Sequence, residues 1–381
     1  MKYPCSTGCT NTYENILDIP YDHQKTIYLH MKYPCSIRRA SNFIFFAIAL
    51  TLFYSCDRKA SPKNVDREKI KLDSIAAVKK AEEEKEKAKP RTASDIVLTK
   101  DLTYDKYTLE DKYKYKDTLR VFQWDKIKEK LAYIENFQRE HNNYGLVVNY
   151  KNKNGEAPTV ASFKRNAYKR VSDTLGTERY QSAPLYAIGE TKTPTIYGRD
   201  GSLVKLLSSD TLKMVRIKGL TNIDGEWDIP KRYVKSIGDT ATFKHVVVVD
   251  VTNQNICALE HTEKGWTIRS MNPATTGKHN PPYGMETPVG IYLLQEQKTK
   301  MFYYADGTTR IAGYAPWASR FTNGAYIHGV PTNDPKAKII EHSWTLGTTP
   351  RSHMCVRNAS SHAKFVYDWI KPFSSLVIVI D

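Results

Sequence analysis

The chain has 381 residues, 57 Lys+Arg against 41 Asp+Glu, a formal net charge of +16 and 40% hydrophobic residues, so it is long enough for two or three folded units and too polar for a multi-span membrane protein. Its 11% aromatic content, led by 25 Tyr, together with 19 Gly and 18 Pro, excludes collagen-like, coiled-coil and mostly disordered chains and points to a loop-rich, mainly β protein. The positive balance calls for an anionic neighbour, whether nucleic acid, membrane headgroups or cell-wall polymer, without choosing among them.

The first 56 residues read as an address. Residues 43–53 (FIFFAIALTLF) are the strongly apolar run, preceded by Lys32, Arg38 and Arg39 and followed by Tyr54, Ser55 and Cys56. A basic segment, a short apolar segment and a small residue make a secretory signal, too short for an ordinary transmembrane helix. Phe53-Tyr54-Ser55-Cys56 resembles the relaxed lipobox of bacterial lipoproteins, although Phe53 stands where Leu is commoner. That resemblance implies that Cys56 is diacylated and becomes the mature N-terminus; a signal cut elsewhere is the alternative. The hexapeptide MKYPCS occurs at residues 1–6 and again at 31–36, which makes residues 1–30 an upstream extension and Met31 a second candidate start. The first 56 residues hold only five basic and three acidic side chains, so a charge of +14 stays with the exported part. Four of the six cysteines lie there too (Cys5, Cys9, Cys35 and Cys56), which argues against a disulfide framework in the folded region.

Residues 57–98 are read as a solvated tether: the stretch to about Ser94 is charged and poor in aromatics, with KKAEEEKEKAK at 79–89 and no apolar face. Residues 99–241 form an accessory region. Within it a helix is expected around Asp125 as N-cap, with Ile127, Leu131, Ile134 and Phe137 at helical spacing. Short apolar runs broken by Gly, Pro and Asp over 180–238 suggest a small β-barrel, whose end, GEWDIPKRYVKSIG, distantly resembles bacterial SH3-like modules. Residues 242–381 form the last domain, opened by a hairpin: His245 to Val251 (HVVVVDV), the turn TNQN at 252–255, and Ile256 to Leu259.

Two later segments carry the residue types of acyl-transfer chemistry, Ala325-Tyr326-Ile327-His328-Gly329 and Arg351-Ser352-His353-Met354-Cys355-Val356-Arg357-Asn358. A cysteine nucleophile needs a base to form its thiolate, and the acyl intermediate needs backbone N–H donors for its oxyanion. Cys355 lies in a segment flanked by Ser352-His353 and Arg357 that can meet both needs. Cys257, between Ile256 and Ala258 on a strand, lacks such company and reads as a core thiol, with a Cys257–Cys355 disulfide as the alternative. His245, His261, His279, His342 and His362 read as surface histidines. No pair among them has zinc-ligand spacing with a third partner, so no metal or other cofactor is assigned.

Taken together, VVVDVTNQNICALE, ETPVG (286–290), RFTNGAYIHG (320–329) and SHMCVR (352–357) resemble, in order, the motifs of the L,D-transpeptidases with a YkuD-type catalytic domain. The resemblance covers roughly residues 243–372 and implies a β-rich catalytic fold. It makes Cys355 the nucleophile, His328 the general base and the Gly329 carbonyl the group that orients the imidazole. It implies that Ser352, His353 and Met354 shape the active-site loop and oxyanion site, the last through its backbone N–H with that of Cys355, and that Arg357 holds the loop or a substrate carboxylate. Tyr314, Trp317 and Phe321 would line the substrate groove, with core packing as the alternative for the two last.

Two departures stand out. Met354 occupies a position where the resembled family has Gly, so a positive φ there would strain it, and its side chain would either rearrange the turn or wall the acyl pocket. Between His328 and Ser352 stand 23 residues, several more than in the family, with polar loop character around Thr332 to Ser343.

The implied reaction is attack of Cys355 on the L,D-peptide bond of a peptidoglycan stem tetrapeptide, loss of D-alanine, and a thioester resolved by the amine of a neighbouring stem. Water as acceptor would make an L,D-carboxypeptidase. An amidase that releases peptidoglycan-linked lipoproteins, or a non-catalytic peptidoglycan-binding lipoprotein with a decayed site, are the other readings. The implied location is the cell envelope, on a lipid anchor facing the periplasm, which excludes nucleic acid as a partner; the sequence is silent on oligomeric state.

Overall fold

The computed structural model describes residues 89–139, 143–209, 211–219 and 223–381, together with 75, 77–80 and 82. The signal, the Cys56 anchor and most of the 57–98 tether lie outside the described residues. Among the described residues no helix is long and apolar enough to cross a membrane.

Strand β1 (Leu98–Lys100) and helix α1 (Trp124–Arg139) precede five strands, β2 (Asn143–Val147), β3 (Leu203–Leu206), β4 (Met214–Gly219), β5 (Gly225–Pro230) and β6 (Val234–Gly238). In α1 the residues Ile127, Leu131, Ile134 and Phe137 are buried as their spacing requires. Asp125 lies inside the first turn rather than capping it, because the helix starts one residue earlier, at Trp124. Strands β2 to β6 form an antiparallel sheet in the order β5-β4-β3-β2-β6. This corrects the expected barrel over 180–238: the sheet is open, and β2, which lies between β3 and β6, comes from upstream of that window. Residues Ser182–Leu185 and Ile196–Arg199 pair as a separate hairpin.

The C-terminal part contains β7 (His245–Asp250), β8 (Asn255–Thr262), β9 (Gly265–Pro273), β10 (Gly290–Leu293), β11 (Glu296–Tyr304), β12 (Ile311–Thr322), β13 (Ala325–His328), β14 (Val356–Arg357), helix α2 (Ser360–Trp369) and β15 (Ser375–Ile380). A six-stranded sheet runs β1-β9-β8-β7-β15-β10, and a four-stranded sheet β11-β12-β13-β14. The run HVVVVD is apolar at successive positions because the six-stranded sheet is covered on both faces. Val246 and Val248 enter one core with Ile127, Leu131, Phe137, Leu146 and Leu203. Val247 and Val249 enter a second, with Phe321, Ile327, Val356 and Val366. On β15, Leu376, Ile378 and Ile380 face the first core and Val377 and Val379 the second.

The first core therefore does not divide at residue 242. Ile96, Phe122 and α1 pack with Val246, Leu259 and Trp266, Trp266 Nε1 donates to Glu135 at 2.9 Å, and β1 adds in parallel to the edge of the six-stranded sheet at β9. Ile96 and Leu98 thus belong to the folded unit rather than to a tether, because their apolar side chains extend its core.

Candidate active site

The site sits on the four-stranded sheet. Parallel pairing of β13 with β14 sets Ile327 opposite Val356 and His328 opposite Arg357, so the two distant motifs become neighbours through backbone hydrogen bonding. Gly329 follows His328 where a side chain has no room, since a Cβ there would lie 2.6 Å from Ser360 Oγ and 2.8 Å from Pro316.

His328 is 3% exposed, and its Nδ1 lies 2.6 Å from the Gly329 carbonyl oxygen. Donation from Nδ1–H to that carbonyl leaves Nε2 with its lone pair free to take a proton. Burial lowers the imidazole to about 4, the Gly329 bond opposing and the nearby Arg357 charge adding to the shift, so the ring is neutral at physiological pH. Burial likewise pushes the Cys355 thiol above its ordinary range, although the Tyr326 backbone N–H and the Arg357 charge pull it down. The resting pair is thus a neutral imidazole and a protonated thiol, the thiol facing the Gly324 carbonyl at 3.6 Å.

The cysteine turn is tied down through its carbonyls. Ser352 Oγ donates to the Cys355 carbonyl, Thr287 Oγ1 donates to that of Met354 at 2.7 Å, and Lys278 N–H donates to that of Ser352 at 2.9 Å. By contrast, the backbone N–H groups of His353, Met354 and Cys355 donate to no acceptor among the described residues. Donors left free in this way are what a developing oxyanion requires.

Met354 has φ +107, so the turn keeps the left-handed geometry suited to glycine and methionine carries the strain. Its side chain is 7% exposed and packs in the second core, not in the acyl pocket. Arg357 makes no ion pair among the described residues, its buried Nε lacks a hydrogen-bond partner, and burial pulls its pKa down.

Cys355, His328, Ser352, His353 and Arg357 line one cavity of about 360 Å³, with Met301, Tyr303, Tyr304, Asp306 and Asn333 on its other walls. A second cavity, of about 430 Å³, shares Ser352, His353 and Arg357 and adds Lys278, Asn280, Thr345 and Arg351. His353 is half-exposed, with Nε2 3.5 Å from Asp306.

The expected groove residues fall elsewhere. Phe321 is fully buried in the second core, and Tyr314 is buried, its hydroxyl donating to the Ala337 carbonyl at 2.8 Å. Trp317 packs edge-on to Tyr367 of α2. The aromatic wall is instead Tyr303 and Tyr304. Opposite the step from Tyr303 to Tyr304, β12 carries one extra residue, Ala312, so the bulge lies in β12, and Ala312 also lines the cavity.

Residues 332–343 are not a free loop: Ser360 Oγ donates to the Ile340 carbonyl at 2.6 Å, and Glu341 accepts from Ser361. Cys257 is a buried free thiol, as is expected of a strand cysteine, and Cys355 is also free. His362, expected at the surface, is fully buried, with Nε2 2.9 Å from Ser270 Oγ, because α2 presses it against β9.

Residues 244–379 match the L,D-transpeptidase catalytic domain family, YkuD. No curated protein shows significant similarity to the chain. Among solved structures, an L,D-transpeptidase from Mycobacterium smegmatis is 16% identical, covering 47% of this chain and 82% of that one at a TM-score of 0.31. L,D-transpeptidase 3 from Mycobacterium tuberculosis, in complex with a faropenem-derived adduct, is 16% identical over 52% of this chain and 98% of that one, TM-score 0.31. A fused Zn-dependent amidase/peptidase/peptidoglycan-binding domain-containing protein from Clostridium acetobutylicum is 16% identical over 36% of this chain, TM-score 0.26, and this chain spans about half its length (52%). By the family match, residues 244–379, about a third of the chain, are an L,D-transpeptidase catalytic domain of the YkuD family.

Proposed function

We propose that this protein is a peptidoglycan L,D-transpeptidase working through a thioester on Cys355. The observation that carries the reading is the convergence of Cys355, a neutral His328 whose Nδ1 is engaged by Gly329, and Arg357 on one cavity, beside a turn whose N–H groups at 353–355 are unused among the described residues. The Sγ proton leaves Gly324 O for His328 Nε2 as sulfur attacks the carbonyl carbon of the L,D bond. The oxyanion takes hydrogen bonds from the Met354 and Cys355 N–H groups. The C–N bond then breaks, His328 returns the proton to the departing amine of D-alanine, and a thioester remains. An acceptor amine, deprotonated by His328, attacks the thioester and restores the thiol.

Arg357 is partly buried, has no acidic partner among the described residues, and with Lys278 and Arg351 lines the second cavity, a setting suited to the carboxylates of stem peptides. The exported protein would sit in the cell envelope, anchored through an acylated Cys56 and facing peptidoglycan. Its positive charge suits that surface. Cys56→Ser should release the protein from membranes, and unchanged fractionation would remove the anchor from the account.

The test of activity is to incubate the full protein with purified disaccharide-tetrapeptide and separate the products. A dimer joined through third stem residues, with free D-alanine, supports transpeptidation. Tripeptide and D-alanine without dimer identify water as the acceptor, and an unchanged substrate refutes the enzyme reading.

A further inference from the structure

Asp200, just after the Ile196–Arg199 strand, lies outside the family-matched segment and is 1% exposed. Its carboxylate accepts four hydrogen bonds: from the Asn149 N–H and Arg320 Nη1 at 2.9 Å, Gln295 Nε2 at 3.1 Å and the Asn323 N–H at 3.2 Å. Its carbonyl accepts from Thr322 Oγ1 at 2.5 Å. The next residue, Gly201, has φ +84, and a Cβ there would stand 2.1 Å from the Phe321 carbonyl oxygen, so residues 200–201 lie directly against the end of β12.

The turn gripped in this way bears on the nucleophile. Its Gly324 carbonyl receives the Cys355 thiol, and the Tyr326 N–H just beyond donates to the same sulfur. Arg320 extends the contact to the side chain of Tyr326: its Nε lies 3.2 Å from Glu296, whose carboxylate accepts from the Tyr326 hydroxyl at 3.0 Å. Arg320 also lies over the ring of Tyr150, 4.2 Å from its centroid, a second tie to the N-terminal region.

We infer that Asp200 is a positioning residue for Cys355, holding the Thr322–Gly324 turn so that Gly324 and Tyr326 keep the sulfur in place. The inference rests on the reading of Cys355 as the nucleophile. It also means that the segment matched to the family depends on the N-terminal region for the setting of its cysteine.

The site is acceptor-only, since every hydrogen bond to the carboxylate comes from a donor. An asparagine would turn its NH₂ toward one of those donors, so Asp200→Asn disturbs the turn with almost no change in volume. In the full chain, iodoacetamide alkylation of Cys355, located by peptide mass mapping between pH 6 and 10, should shift its midpoint upward in Asp200→Asn by about one pH unit as the Tyr326 donor is lost. At neutral pH the rate should fall about tenfold. Should Asp200→Asn fail to fold, Thr322→Val, which removes only the contact to the Asp200 carbonyl, should give a smaller shift in the same direction. A folded variant with the wild-type alkylation profile would overturn the inference.

Alkylation needs no transpeptidase activity, which separates the two claims. A shifted profile in a protein that never turns over tetrapeptide would leave the positioning role standing and sink the enzyme reading. Turnover by wild type with unshifted profiles would do the reverse.

Discussion

Thr287 Oγ1 donates to the Met354 carbonyl at 2.7 Å and accepts from the Gly277 N–H at 2.8 Å, joining the ETPVG segment to the cysteine turn through one buried hydroxyl. Gly277 is glycine for a related reason: a Cβ there would lie 2.8 Å from the Met354 Cα.

Thr287→Val keeps the shape and removes the hydroxyl, leaving the Gly277 N–H and Met354 carbonyl without their partner. The expected loss is about 2 kcal/mol or more of unfolding free energy, together with slower acylation of Cys355. Thr287→Ser keeps the hydroxyl and should lose only about 1 kcal/mol. Urea denaturation of the three proteins checks the order, and a valine variant as stable as wild type would show that the hydroxyl is not a clamp.

Met354 sets two effects against each other. Burying its side chain contributes about 1.5–3 kcal/mol, and its left-handed backbone costs about 1–3 kcal/mol. Met354→Gly loses the first, relieves the second and adds glycine's backbone-entropy cost of about 0.5–1 kcal/mol, so its net loss should be about 1 kcal/mol. Met354→Ala loses the burial and keeps the strain, for about 2–4 kcal/mol. The stability order Met, Gly, Ala reverses the usual advantage of alanine over glycine, and equilibrium denaturation reads it directly.

Acid should weaken the fold through two buried histidines. Burial lowers His328 to about 4 and His362 to about 3, so the unfolded chain, with histidines near the ordinary 6.5, binds protons first as pH falls. Their stabilising contribution is complete above about pH 6.5 and is lost progressively below it, by about 2 kcal/mol per histidine at pH 5. His362→Gln should remove about half of that histidine contribution. Stability unchanged between pH 7 and 5 would contradict the neutral burial of both rings.

The same lowering bears on chemistry. With His328 neutral above about pH 4, the acid limb of acylation should lie well below an ordinary histidine's, while alkylation by iodoacetamide should climb through the alkaline range with the elevated thiol. Rate measurements from pH 3.5 to 10 test both limbs. An acid limb centred near 6.5 would mean that the imidazole is not buried in solution.

Much of the architecture was legible because it is written in local patterns. The period of α1 and the doubly buried β7 follow from side-chain spacing, and short motifs placed His328, Gly329, Ser352 and Arg357 around one cysteine before their proximity was visible. What escaped depends on pairing between distant segments. Tyr303 and Tyr304 line the cavity through the pairing of β11 with β12, and Tyr314 and Phe321 sit on buried faces that a sequence without register does not define. Asp200 is 120 residues from Arg320 in the chain, and no local signal ties the two together. The boundary at 242 marked a change in pattern, whereas Ile96 and α1 cross it to complete the core.

Cys355 acting as an acyl acceptor is the step on which the proposed reaction depends. Intact mass spectrometry of the folded, reduced protein with a carbapenem, whose strained β-lactam carbonyl stands in for the stem peptide bond, measures this directly. The expected result is one covalent adduct per chain, mapped to Cys355 and absent from Cys355→Ala. An unmodified wild-type mass under the same conditions would contradict it.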